Sequence, residues 1–115
     1  MSDKSKYMNL QEVSWMIHRT AKDKGFYDAE IDINFILSKI ALLHSECTEV
    51  LEAVRKDRGS DTIMEEVADT FIRLADLVEA MKDGGFVDEE ASLHDAIENK
   101  MVKNEGRAFR HGVLA

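Results

Sequence analysis

Residues 33–56 read INFILSKIALLHSECTEVLEAVRK. Within them Ile33, Ile36, Leu37, Ile40, Leu43, Cys47, Val50, Leu51 and Val54 recur in steps of three and four, which lays one apolar stripe along a helix. Downstream, Arg58-Gly59-Ser60-Asp61 is a short polar turn, and Thr62 with Glu65 offers a capping box for a second helix. That helix carries Met64, Val67, Ala68, Phe71, Ala75 and Val78 on one face and should stop at Gly84-Gly85. Upstream, Asn9 and Glu12 form another capping box, and Leu10, Val13, Ile17 and Ala21 predict a helix from about residue 10 to 23. Gly25-Phe26-Tyr27-Asp28 breaks the pattern as a loop carrying two aromatics. A last helix should start on Asp88, Glu89 and Glu90, where acids favour a helix N-terminus, continue through Leu93, Ile97 and Met101, and fade near Asn104.

The chain is thus expected to be all-α, an antiparallel bundle whose helices are joined by short turns. Its composition agrees: there is no proline, only six glycines, and an ample supply of helix-forming residues. A length of 115 residues fits one domain, and a domain of this size buries roughly two thirds of its unfolded surface. We find no repeat, low-complexity segment or linker.

The formal net charge of −8 argues against a nucleic-acid polymer as partner, because a phosphate backbone needs a basic face. Locally the balance reverses, since Lys100, Lys103, Arg107 and Arg110 face only Glu105 after residue 99. Cys47 is the single cysteine, so no intramolecular disulfide can form. The opening Met1–Lys6 lacks the apolar run of a signal peptide, and no stretch approaches the roughly 18 apolar residues that cross a bilayer. A cytoplasmic location and no membrane partner are expected.

Two pairs of acids carry the chemistry. Glu46 and Glu49 on one helix, and Glu66 and Asp69 on the next, are each spaced i, i+3 and so share a side of their helix. Glu49 and Asp69 lie ten residues before and ten after Gly59, so a hairpin folded there brings them level and all four acids together. Such a cluster is costly without a cation. A hard ion such as Mg²⁺, which takes oxygen ligands in octahedral geometry and keeps waters and phosphates in its shell, suits it, and the lack of His or Cys in the pairs argues against zinc. The plain alternative is a solvated charged face, where acids are expected by chance in a chain with 23 of them.

Ser45-Glu46-Cys47-Thr48-Glu49-Val50-Leu51-Glu52-Ala53, followed by Glu65-Glu66-Val67-Ala68-Asp69, resembles the signature of the MazG-like all-α nucleoside triphosphate pyrophosphohydrolases, EExxE and then ExxD. Asn99–Arg107 is similar to the Lys-xxx-Asn-xx-Arg segment of many members, and Lys24–Asp28 and His111-Gly112 also match. Two positions depart from the pattern: Ser45 replaces the first acid, and Ala108 stands where relatives often have proline. The resemblance implies that Glu46, Glu49, Glu66 and Asp69 bind Mg²⁺, for which Mn²⁺ can substitute. It further implies a substrate in the (deoxy)nucleoside triphosphates, split into monophosphate and pyrophosphate in nucleotide-pool house-cleaning, and a bundle completed as a homodimer or homotetramer.

Lys100, Asn104 and Arg107 stand at i, i+4 and i+7 on one helix face and suit the triphosphate, with ordinary charge at a helix C-terminus as the alternative. Glu49 is the candidate for orienting the attacking water. Arg73, in line with Glu66 and Asp69, could hold the carboxylates in place. Trp15, Phe26 and Tyr27 read first as core and second as stacking partners of a base, and His44 as a helix-surface residue. Two rivals remain: a non-catalytic acidic helical module, and a di-iron bundle, which wants Glu-x-x-His motifs that the chain lacks.

Overall fold

The computed structural model describes residues 9–23, 25 and 30–107. These residues form four helices: α1 (Leu10–Asp23), α2 (Ile33–Arg55), α3 (Ser60–Asp83) and α4 (Leu93–Glu105). Lys24, the aromatics Phe26 and Tyr27 with Asp28, and Ala108–Ala115, which include Arg110, His111 and Gly112, lie outside the described residues.

Local chemistry sets each boundary. Asn9 accepts a hydrogen bond from the Glu12 amide at 2.8 Å and starts α1; Asp32 accepts from the Phe35 amide at 2.9 Å and starts α2. The end of α2 is a Schellman turn, in which the Asp57 and Arg58 amides donate to the Val54 and Ala53 carbonyls with Asp57 in the left-handed region at φ 51°. The same motif closes α3, the Gly85 and Phe86 amides donating to the Lys82 and Met81 carbonyls. Here Gly85 takes the positive φ of 78°, and Gly84 admits no side chain, since a Cβ there would stand 2.8 Å from Ile31 Cγ2.

Two expected starts shift. Helix α3 begins at Ser60 behind Gly59, which makes no side-chain cap, so Thr62 and Glu65 lie inside the helix rather than at its cap. Helix α4 begins only at Leu93, because Ser92 has extended backbone and accepts from the Asp95 amide at 3.1 Å. Asp88, Glu89 and Glu90 occupy the preceding turn.

α3 is the centre of the fold, with α1 and α2 both packed on it, whereas α4 leans chiefly on α1. Ile36, Leu77 and Ala80 form the core, backed by Ile31, Ile40, Leu43 and Met81. Much of the apolar stripe of α2 and α3 is left outside this core. Leu51, Val54 and Met64 are 54%, 55% and 60% exposed, more surface than their own chain covers. Helix α1 also differs from expectation: its two buried residues are Ser14 and His18, not members of the Leu10, Val13, Ile17, Ala21 stripe. Among the described residues no helix is long and apolar enough to cross a membrane.

Candidate active site

The hairpin of α2 and α3 brings together Glu46 from the first helix and Glu66 and Asp69 from the second, with one carboxylate oxygen of each within 4.8 Å of the others. Oxygen ligands around an octahedral Mg²⁺ stand roughly 3 to 4 Å apart, so small side-chain rotations bring this set onto one ion. Three carboxylates with no nitrogen or sulfur donor among them fit a hard cation. Glu49 is exposed and stands outside the three-oxygen group. It is still near enough to act on its neighbour: partial burial, then the charges of Glu49, Asp69 and Glu46, raise the pKa of Glu66 above the ordinary carboxylate value, with Arg58 opposing. The arrangement therefore repels itself until a positive charge enters.

Arg73, one turn beyond Asp69, reaches toward Glu46, with Nε 3.8 Å from its carboxylate. A cavity of about 320 Å³ opens over these groups. Its floor is Glu46, Asp69, Arg73 and Asp76; its opposite wall is Ile17, Thr20 and Ala21 of α1, with Ile72 between. An apolar space of about 380 Å³ adjoins it, sharing Ile17, Thr20 and Ile72 and extending to Val13 and Met16. A charged pocket thus continues into a greasy one, a shape suited to a ligand with an anionic and an apolar end.

Lys100 and Asn104 on α4, and Arg107 just beyond it, are all exposed, and none lines these cavities. Lys103 is exposed as well. Trp15 is 52% exposed rather than core, with the Arg19 guanidinium 5.1 Å from its ring centre. His44 is on the surface, as its position in the helix implied.

A buried polar network went unread in the sequence. His18 Nδ1 lies 2.7 Å from Asp76 Oδ1, and its Nε2 lies 2.8 Å from Asp83 Oδ2. Ionised carboxylates only accept, so the two contacts are both satisfied when each ring nitrogen donates, that is, in the imidazolium form. Burial works against that charge, but the hydrogen bonds and charges of Asp76 and Asp83 outweigh it and raise the pKa above the usual histidine value. Asp83 responds in kind: burial raises its pKa, but the His18 hydrogen bond and charge, with Lys22, win and lower it. Lys39 of α2 reaches the other oxygen of Asp76 at 3.5 Å. Nearby, buried Glu79 meets Lys82 at 3.1 Å and Gln11 at 3.2 Å. The available signal was complementary spacing: Gln11, Ser14, His18 and Lys22 on one helix, Asp76, Glu79 and Asp83 on another, both in steps of three and four.

The family model for the MazG nucleotide pyrophosphohydrolase domain matches residues 36–109, a span holding all four acids, the hairpin and α4 but not α1. The chain matches no curated protein and no solved structure. Most of the chain, with its ordered acids and all-α architecture, is thereby accounted for, and the chain belongs to the family of MazG nucleotide pyrophosphohydrolases.

Proposed function

We propose that the protein is a Mg²⁺-dependent nucleoside triphosphate pyrophosphohydrolase, converting a (deoxy)nucleoside triphosphate and water into the monophosphate and pyrophosphate. The observation that carries this reading is the convergence of Glu46, Glu66 and Asp69, two of which, Glu46 and Asp69, line a cavity that adjoins an apolar one. Magnesium, or manganese in its place, would supply charge to the phosphate oxygens and acidify a water. Glu46, Glu66 and Asp69 would hold it, with Glu49 completing the set. Glu49, exposed beside this group, would accept a proton from the attacking water. The water oxygen bonds to the α-phosphorus, the bond from that phosphorus to the bridging oxygen breaks, and pyrophosphate departs with its charge offset by cations.

Lys100, Asn104 and Arg107 are the proposed phosphate-binding groups. Their place on and just beyond α4, away from the cavity lining, is accommodated by assembly as a homodimer or homotetramer in which one copy completes another's site. The uncovered apolar face of α2 and α3, where Cys47, Val50, Val67, Phe71 and Leu74 border a space of about 410 Å³, supports such an assembly. House-cleaning of the cytoplasmic nucleotide pool is the corresponding role.

A nucleotide panel with chromatography of the products tests this reading. Magnesium should be required, and monophosphate and pyrophosphate should appear in equal amounts. Release of a diphosphate and inorganic phosphate would refute the cleavage position, and indifference to chelation would refute the metal.

A further inference from the structure

The wall of the cavity that faces the carboxylates belongs to α1, and the most buried residues that α1 turns toward the fold are polar, Ser14 and His18. His18 is the centre of that fastening, 5% exposed and bonded through both ring nitrogens to acids seven residues apart on α3. Its neighbours in sequence, Ile17, Thr20 and Ala21, form the wall itself, and its partner Asp76 lies on the cavity floor beside Arg73. One side chain therefore connects the two surfaces between which a ligand must fit.

We propose that His18 is a positioning residue: its imidazolium, shared between Asp76 and Asp83, sets where α1 stands against α3 and so the width of the substrate groove over Glu46 and Asp69. This rests on the hydrolase reading for its kinetic consequence, though not for its structural one. The carboxylates that would hold the metal are on α2 and α3 alone, so displacement of α1 should weaken substrate binding and spare the metal site.

Acids of α3 favour the imidazolium of His18, and cations of α1 and α2 oppose it. Helix α3 presents Asp76, Glu79 and Asp83. From α2, Lys39 opposes through Asp76. On α1 itself Arg19, Lys22 and Asp23 border, with His18, Glu79 and Asp83, a separate pocket on the outer side of the α1–α3 seam, Lys22 pairing with Asp83 at 3.4 Å. No residue of α4 lines that space. Losing the proton leaves one ring nitrogen without a hydrogen to donate, facing a carboxylate, so the fastening on α1 loosens as pH rises through the His18 titration.

The test compares full-length wild type with His18→Gln, and with Asp83→Asn as a milder change should the first fold poorly. Three quantities are measured: kcat and KM for the triphosphate at saturating magnesium, affinity for Mn²⁺ alone, and amide hydrogen exchange across the chain. His18→Gln should raise KM about tenfold with kcat within about threefold and leave Mn²⁺ affinity within about twofold. Protection of α1 amides should fall about tenfold more than that of α2 and α3. In wild type the same selective loss should appear with rising pH between about 5.5 and 9, and be absent from His18→Gln. Unchanged KM in both variants, or KM and Mn²⁺ affinity worsening together, would overturn the positioning role. A wild type that cleaves no nucleoside triphosphate would overturn the hydrolase reading instead; exchange then decides alone, selective loosening of α1 supporting the inference and uniform loosening defeating it.

Discussion

Helix α3 carries two acidic clusters about two turns apart, and they have opposite characters. Asp76, Glu79 and Asp83 are met by His18, Lys39, Lys22, Lys82 and Gln11 at distances from 2.7 to 3.5 Å, two of the three acids being buried. Glu66 and Asp69 meet two more acids, Glu46 and Glu49, and the one cation paired with this group among the described residues is Arg73 at 3.8 Å from Glu46. Acids supplied with cations by their own protein act as a fastening, whereas acids left to repel one another are arranged for a cation from outside. The pKa directions follow the same division, Asp83 lowered and Glu66 raised.

The sharpest way to break this contrast is to remove a cation from the first cluster. His18→Ala leaves Asp76 and Asp83 facing an empty space, and stripping one partner from a buried pair costs about 3 kcal/mol or more. Urea denaturation should show that loss; a change below about 1 kcal/mol would mean that Lys39 and water compensate fully. In the second cluster the signs reverse. Asp69→Asn and Glu49→Gln should each lower turnover by about 10²-fold or more, near 2.7 kcal/mol of barrier, while leaving the melting temperature unchanged or higher because a repulsion has been relieved. Near wild-type rates in both folded variants would return these acids to a merely solvated face.

Smaller effects test the periphery. Lys100→Ala and Arg107→Ala should each reduce kcat/KM for the triphosphate about tenfold, one charge-assisted contact being worth about 1.5 to 3 kcal/mol, with little movement in melting temperature. Because the pKa of His18 is raised on folding, its pairing stabilises fully below the unfolded value of about 6.5 and fades as pH climbs through the folded value. Asp83 is lowered, so its contribution is present above about 3.9 and is lost as pH falls through the folded value. Stability should therefore peak between roughly pH 4 and 6.5, and the decline on the alkaline side should vanish in His18→Gln. Arg55→Ala sets the lower bound: its pair with Glu52 is exposed at 3.3 Å, and its removal should cost less than about 0.5 kcal/mol.

Sequence by itself determined the helices and the identity of the acids. Apolar spacing from Ile33 to Val54 and the glycines at 84 and 85 place the boundaries of α2 and α3 within a residue or two, because periodicity and termination are local properties of the chain. Spacing likewise named Glu46, Glu49, Glu66 and Asp69 as two pairs on facing helices. Which carboxylate oxygens come together was a matter of hairpin register, which groups Glu46 with Glu66 and Asp69 within 4.8 Å and leaves Glu49 outside that group but close enough to act on Glu66. The start of α4 was misplaced because acids that favour a helix end compete with a true cap at Ser92. Beyond reach of any local pattern was the role of His18. Whether a histidine on a helix is buried, and whether it carries a proton there, depends on what faces it, and Asp76 and Asp83 lie about sixty residues away. Folding alone brings them together, and with them the wall of the groove.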